Sequence, residues 1–159
     1  MSFSQTDLKN AFARRATGVT IVTARAGDRI HGMTVSAFAE VSLKPPLVLV
    51  CIDNAAKTHS LIEEGGVFAV NILARGQEPL AERFASKGEE DRRFSDLECE
   101  TGATGAPLLA GSVAQLDCRL ASAHESGDHT IYIGEVVEVR LFDGDPLVFY
   151  DRNYRGLAD

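Results

Sequence analysis

GMTVSAFAEVSLKPPLVLVCID, residues 32–53, decides how this chain is read. Its first half sets small hydroxyl residues, Thr34, Ser36 and Ser42, in a polar stretch, and its second half, residues 47–52, is an unbroken apolar run. A flat apolar wall beside exposed hydrogen-bonding groups suits a ring-shaped ligand. The same pattern also suits an ordinary barrel strand whose Ser and Thr face solvent. Pro45-Pro46 separates the halves. Proline donates nothing to a ladder, so the break predicts two strands, 38–43 and 47–52. The second is apolar at every position and is expected to be buried on both faces.

Upstream, Ser4-Gln5-Thr6-Asp7 has the S-x-x-D form of a helix start. Leu8, Ala11, Phe12 and Arg15 follow at helical spacing and Gly18 is a natural stop, which predicts a short amphipathic helix over residues 6–16. Residues 19–24 are β-branched and alternating, and residues 26–29 turn them into a partner strand near 30–34. Downstream, Ser60-Leu61-Ile62-Glu63 reads as a capping box, with Gly65-Gly66 ending that helix. Residues 67–73 read as a strand, and 77–86 as a helix with Pro79 in its first turn and Leu80 and Phe84 on one face. Residues 87–107 are polar and glycine-containing and read as a long loop. Strands over 108–123, 130–142 and 147–150 complete the set, with 143–146 as a turn. About seven strands without long helices between them indicate a mainly β fold, an antiparallel barrel rather than a doubly wound sheet.

At 159 residues the chain is expected to form a single domain, and a chain of this size buries roughly 68–70% of its unfolded surface without a disulfide or metal staple. Its net charge of −7 argues against nucleic acid and anionic membranes as partners. Arg14-Arg15 and Arg92-Arg93 are isolated pairs and read as solvated surface. Cys51, Cys99 and Cys118 form no CxxC, so no zinc knuckle or redox pair is encoded. Cys51 and Cys118 sit in strand-like runs and read as small buried hydrophobes. Cys99 lies between Glu98 and Glu100, whose charges disfavour a thiolate. Reduced thiols, no signal pattern, and no apolar stretch near the roughly 20 residues that span a bilayer together predict a cytoplasmic protein.

The sequence carries neither a G-x-G-x-x-G turn nor a P-loop, and Ser36 and Ser42 lack a G-x-S-x-G elbow. His124, Glu125, Asp128 and His129 match no zinc spacing, so no metal is expected. Hydride transfer between two stacked rings needs neither a strong acid nor a strong base. It needs position, which the protein supplies while the cofactor supplies reactivity. Residues 55–60 precede a helix, so their amides with Lys57, Thr58 and Ser60 suit a phosphate, or else plain capping. Gly127-Asp128-His129-Thr130 reads as a hairpin turn or as a pocket mouth carrying His129.

Several further stretches, in this order, carry a resemblance: 12–23 (FARRATGVTIVT), 57–62 (KTHSLI), 68–71 (FAVN), 80–85 (LAERFA), 105–109 (GAPLL), 127–137 (GDHTIYIGEVV), 146–150 (PLVFY) and Tyr154-Arg155. With 32–53 they resemble the short-chain NAD(P)H:flavin oxidoreductases. These are the reductase components of two-component flavin-dependent monooxygenases and have an FMN-binding split barrel. The resemblance implies that Met33, Thr34, Val35 and Ser36 lie along the isoalloxazine ring, with Cys51, Ile52 and Asp53 at its other edge through their backbone. It implies that Lys57 and Thr58 hold the phosphate with Phe84 and Ala85 nearby, that His129 serves nicotinamide binding and hydride transfer, and that Tyr154 and Arg155 border the same cleft. It further implies FMN or FAD as cofactor, NADH or NADPH as donor, a homodimer, and a partner monooxygenase reached by diffusing reduced flavin. Two positions depart from the family pattern. Gln115 stands where tryptophan is frequent, which concerns packing, and Ala37 replaces a second serine, which removes a hydroxyl near the ring. Three rival readings are a flavin-binding electron carrier without a nicotinamide donor, a flavin-dependent reductase of metal complexes, and a non-catalytic split-barrel binding module.

Overall fold

The computed structural model describes residues 2–88 and 90–158. In chain order its elements are α1 (Gln5–Ala13), β1 (Thr17–Gly18), β2 (Thr20–Ala26), β3 (Arg29–Val35), β4 (Phe38–Leu43), β5 (Pro46–Asp53), α2 (Lys57–Gly65), β6 (Val67–Ile72) and α3 (Glu78–Ala85). A single 3-10 turn, Glu90–Arg92, comes next. Then follow β7 (Cys99–Thr101), β8 (Pro107–Leu109), β9 (Ala114–Ser126), β10 (His129–Leu141), β11 (Val148–Tyr150) and β12 (Asn153–Arg155).

Seven strands form one antiparallel sheet in the order β3-β2-β6-β9-β10-β5-β4. The sheet curls until β3 lies against β5, but no ladder joins them, so the barrel is split. The connection Ser36–Ala37 carries the chain from β3 to β4 across that split. Val22, Val48, Val50, Ile52, Phe68 and Tyr132 fill one core cluster with Leu61 and Ile62 of α2. Ile21, Leu73, Ala81, Phe84 and Leu147 form a second core on the other side of β2. Every residue from Thr20 to Ala24 is therefore buried although the sequence alternates. The polar members of that run are paired: Thr20 Oγ1 donates to Val35 O at 2.6 Å and Thr23 Oγ1 to Pro107 O at 2.5 Å.

Several elements differ from the sequence reading. The first helix ends at Ala13, and Gly18 is in β1 rather than at a helix stop. Its Ser4–Asp7 capping box is present, yet none of its side chains is buried and Phe12 is 67% exposed. Ser60 begins no helix. Asp53 turns the chain earlier, its carboxylate accepting from Ala55 N at 2.8 Å and its carbonyl from Ala56 N at 3.0 Å, so α2 starts at Lys57. In β5 only Val48, Val50 and Ile52 are buried, while Leu47, Leu49 and Cys51 are half-buried because no described residue covers that face fully. Arg93 is no solvated surface residue: it is 4% exposed, and its guanidinium donates to Gly32 O at 2.8 Å and Ser86 O at 2.7 Å. Residues 87–107 contain the 3-10 turn and β7, elements of three residues each that are too short to show a period. The predicted strand 108–123 is two strands separated by the turn at Gly111. A further strand, β12, returns from β11 through Asp151 and Arg152, both left-handed at φ 50° and 60°. That two-residue hairpin has the geometry that usually selects Asn-Gly.

Candidate active site

The β4–β5 ladder brings the two halves of residues 32–53 together beside the split of the barrel. Cys51 N donates to Ala37 O at 3.0 Å, and Phe38 pairs with Val50. Of the β3 residues, Thr34 directs its hydroxyl to Ala81 O of α3 at 2.6 Å, Val35 is buried, and Met33 is half-buried against the barrel core. Ser36 is exposed and lines a cleft of about 700 Å³. Phe12, Ala37 and Phe149 give that cleft apolar walls, and Lys9, Arg15 and Arg152 bring cationic side chains to it. The volume lies within the range of small-molecule sites.

At the far end of β5 a second group converges. His129 opens β10 directly opposite Asp53, and Cys51 lies opposite Ile131. Gly127-Asp128 is a two-residue hairpin, with Gly127 at φ 67°. The turn and the histidine are thus one feature, not alternatives. His129 is 44% exposed, and its Nδ1 lies 2.7 Å from Asp128 Oδ1. The hydrogen bond from His129 holds the Asp128 carboxyl below its ordinary range. Asp128 is therefore an anion that accepts from Nδ1, which leaves Nε2 free to face a ligand. Behind it, Thr130 Oγ1 donates to Asn54 Oδ1 at 2.8 Å and stands 3.2 Å from His59 Nε2, and Asn54 N donates to Asp128 O at 3.0 Å.

The start of α2 forms the third group. Ala56 caps it without a side-chain hydrogen bond, so its first amides face outward uncapped. Lys57 is half-exposed and pairs with Asp91 at 3.0 Å and Glu90 at 3.5 Å. Thr58 is fully buried, its hydroxyl 2.8 Å from His31 Nδ1. Phe84 is also fully buried; it packs edge-on against Phe94, with ring centroids 5.2 Å apart, and beneath Gly32. Ala85, next to it, is exposed. Tyr154 packs at a tilt against Phe149 in the second core, ring centroids 5.3 Å apart, and Arg155 lies over the Tyr150 ring at 5.4 Å. Thr58 and Phe84 thus have no exposed side chain; both pack against β3.

Sequence reasoning missed His31, Glu90 and Arg93. His31 alternates with Met33 and Val35 on β3, which was the one available signal; nothing local marks the other two.

A split antiparallel barrel with this strand order is the architecture of flavin reductase-like proteins. A family model described as "Flavin reductase like domain" matches residues 12–158. An NADH-dependent flavin reductase of Rhodococcus sp is 42% identical over 153 residues, covering 94% of this chain and 85% of the relative. The reductase component of 4-hydroxyphenylacetate 3-monooxygenase from Thermus thermophilus is 41% identical, covering 94% of this chain and 95% of the relative. The NADH:FAD oxidoreductase SgcE6 of Streptomyces globisporus, solved in complex with NAD and FAD fragments, superposes with a TM-score of 0.91 at 37% identity, covering 98% of this chain and 93% of that one. The chain belongs to the flavin reductase family.

Proposed function

We propose that this chain reduces FMN or FAD with hydride from NADH and supplies the reduced flavin to a partner monooxygenase. The observation that carries the reading is the barrel split, where Ser36–Ala37 is joined to Cys51 by a backbone hydrogen bond while His129 stands opposite Asp53 at the end of the same strand. The names of the Rhodococcus and Thermus relatives support the donor and the partner.

The residues fit a phosphorylated flavin. The uncapped start of α2, Lys57, and the buried, unpartnered Nε2 of His31 form a donor set for an anion. Met33, Thr34, Val35 and Ser36 would lie along the ring, chiefly through main-chain groups, since the Thr34 hydroxyl is already engaged and Val35 is buried. Cys51, Ile52 and Asp53 would offer backbone at its other edge. Thr58, Phe84 and Ala85 would hold the phosphate end in shape. When bound, the flavin supplies the hydride-accepting ring. His129, with its proton held at Nδ1 toward Asp128, would orient the nicotinamide through Nε2. Lys9, Arg15 and Arg152, with Tyr154 and Arg155 beyond them, suit a pyrophosphate in the 700 Å³ cleft.

We further infer a single domain, a cytoplasmic setting and a homodimer. Phe12, Leu43 and Leu141 are 67%, 91% and 77% exposed, and the half-buried face of Leu47, Leu49, Ile131 and Ile133 lacks cover in one chain. No helix among the described residues is long and apolar enough to cross a membrane. The test is anaerobic stopped-flow mixing of protein and oxidised flavin with NADH, then with NADPH. Rapid bleaching of the flavin absorbance with NADH supports the proposal, and NADPH as sole or equal donor would change the donor assigned. No bleaching with either would end it.

A further inference from the structure

Three nitrogen-bearing side chains converge on one carboxylate beside the start of α2, each at the long end of ion-pair range and none at ordinary hydrogen-bond distance. Glu90 Oε2 is 3.5 Å from Lys57 Nζ and 3.8 Å from His31 Nε2, while Glu90 Oε1 is 4.0 Å from Arg93 Nη2. Hydrogen bonds to carboxylates run nearer 2.7–2.9 Å. The seat is therefore larger than the group in it. His31 is 6% exposed, and its Nε2 has no hydrogen-bond partner. Its Nδ1 is fixed by Thr58 Oγ1, which aims Nε2 at Glu90. A buried polar atom without a partner is rare and calls for a ligand or a cost. A phosphate monoester has three terminal oxygens, a wider spread than a carboxylate, and would reach all three donors together with the uncapped amides of Lys57 and Thr58.

We propose that the Glu90–Arg92 turn is a built-in anion that occupies this protein's flavin-phosphate seat, and that Glu90 must leave the seat for a phosphorylated flavin to enter. The inference rests on the flavin reading given above, and it adds a control on that site. Asp91 assists by holding Lys57 at 3.0 Å, away from an incoming phosphate. Arg93 anchors the turn from below, because its other bonds to Gly32 O and Ser86 O do not depend on Glu90. The turn can move while its base stays fixed. Glu90 thereby sets selectivity as well as affinity: a flavin without phosphate gains nothing from displacing it.

The test compares FMN with riboflavin, which lacks the phosphate, in Glu90→Gln and Glu90→Ala, with binding read from quenching of flavin fluorescence. FMN affinity rises about five- to thirtyfold in both variants, the span of one to two kcal/mol, while riboflavin affinity stays where it was. Asp91→Asn gives a smaller rise in the same direction, and adding Lys57→Gln to Glu90→Gln removes the gain. FMN affinity that is unchanged or weaker overturns the proposal, as does equal tightening of both flavins. Inorganic phosphate alone supplies an arm free of the flavin reading. It raises the melting temperature of Glu90→Gln more than that of the unmodified protein, and equal shifts overturn the proposal. Absence of flavin binding in every variant, with the phosphate difference intact, would refute the flavin reading and leave the anion seat standing.

Discussion

Replacing Arg93 with methionine tests how strand β3 is held in place. Gly32 lies on β3, an edge of the main sheet, and its carbonyl accepts from Arg93 Nη1 at 2.8 Å. Arg93 Nη2 reaches Ser86 O, at the end of α3, at 2.7 Å, so one side chain ties the edge strand to the helix beneath it. Hydrogen bonds from a charged donor contribute about 1.5–3 kcal/mol each. Against them stands the desolvation of a guanidinium that is only 4% exposed, which also pushes its pKa down. Arg93→Met relieves that desolvation, fills the space with apolar atoms and leaves two carbonyls unpaired, for a net loss of about 2–4 kcal/mol. At about 2–4 °C per kcal/mol for a chain of this size, melting falls by about 4–16 °C. Urea unfolding at fixed protein concentration measures the loss, and flavin titration reads whether residues 33–36 have shifted. Arg93→Lys, which reaches one carbonyl but not both, falls between. Stability of Arg93→Met within about 0.5 kcal/mol of the parent would refute the reasoning.

Three other outcomes are expected. A Cβ at Gly134 would lie 2.4 Å from Phe68 Cζ and 2.9 Å from Cys118 Cβ, both in residues with no exposure, so Gly134→Ala destabilises by about 1–3 kcal/mol; denaturation midpoints within error of the parent would count against it. Thiol reagents label exposed Cys99 first and half-buried Cys51 more slowly, and flavin slows Cys51 further; Cys118, whose thiol burial pushes up to about 12, reacts only on unfolding, as mass mapping would show. Burial, then Arg93, lowers the His31 pKa against a smaller opposing pull from Glu90, so the unfolded chain binds more protons near pH 6 than the native one. Stability is therefore whole above about pH 6.5 and declines as pH falls below it; His31→Gln flattens that decline, and an identical slope would contradict the assignment.

Strands β2, β6 and β10 were legible because β-branched and apolar runs bounded by turn residues need only the chain's own residues. The turn at Gly127-Asp128 was legible because a φ of 67° asks for glycine. Legibility failed where a distant group decided the outcome. Ser60 carries the residue pattern of a cap, but Asp53 had already turned the chain. Arg93 has the look of a surface cation until Gly32 O, far away in sequence, accepts from it. The β11–β12 hairpin was invisible because Asp151 and Arg152 adopt left-handed backbone without glycine or asparagine. Gln115, where tryptophan is frequent, is buried and donates to Leu109 O at 2.7 Å, a bond that residue 115 makes only through the fold. Asp53 stands opposite His129 on the next strand and Lys57 follows it at the start of α2, neighbours along the chain or the ladder, whereas Glu90 and His31 meet only through the fold.

Helix α1 supplies one wall of the large cleft, yet buries nothing within its own chain. Two hydrogen bonds tether its C-terminal half: Asp151 N to Ala13 O at 2.9 Å and Arg152 Nη2 to Asn10 Oδ1 at 2.6 Å. A nine-residue segment so weakly attached sits near the coil threshold in water. The cleft's dimensions are then tied to what covers Phe12: a surface that shields this side chain would hold the wall in place, and an uncovered helix of this length has little of its own to do so.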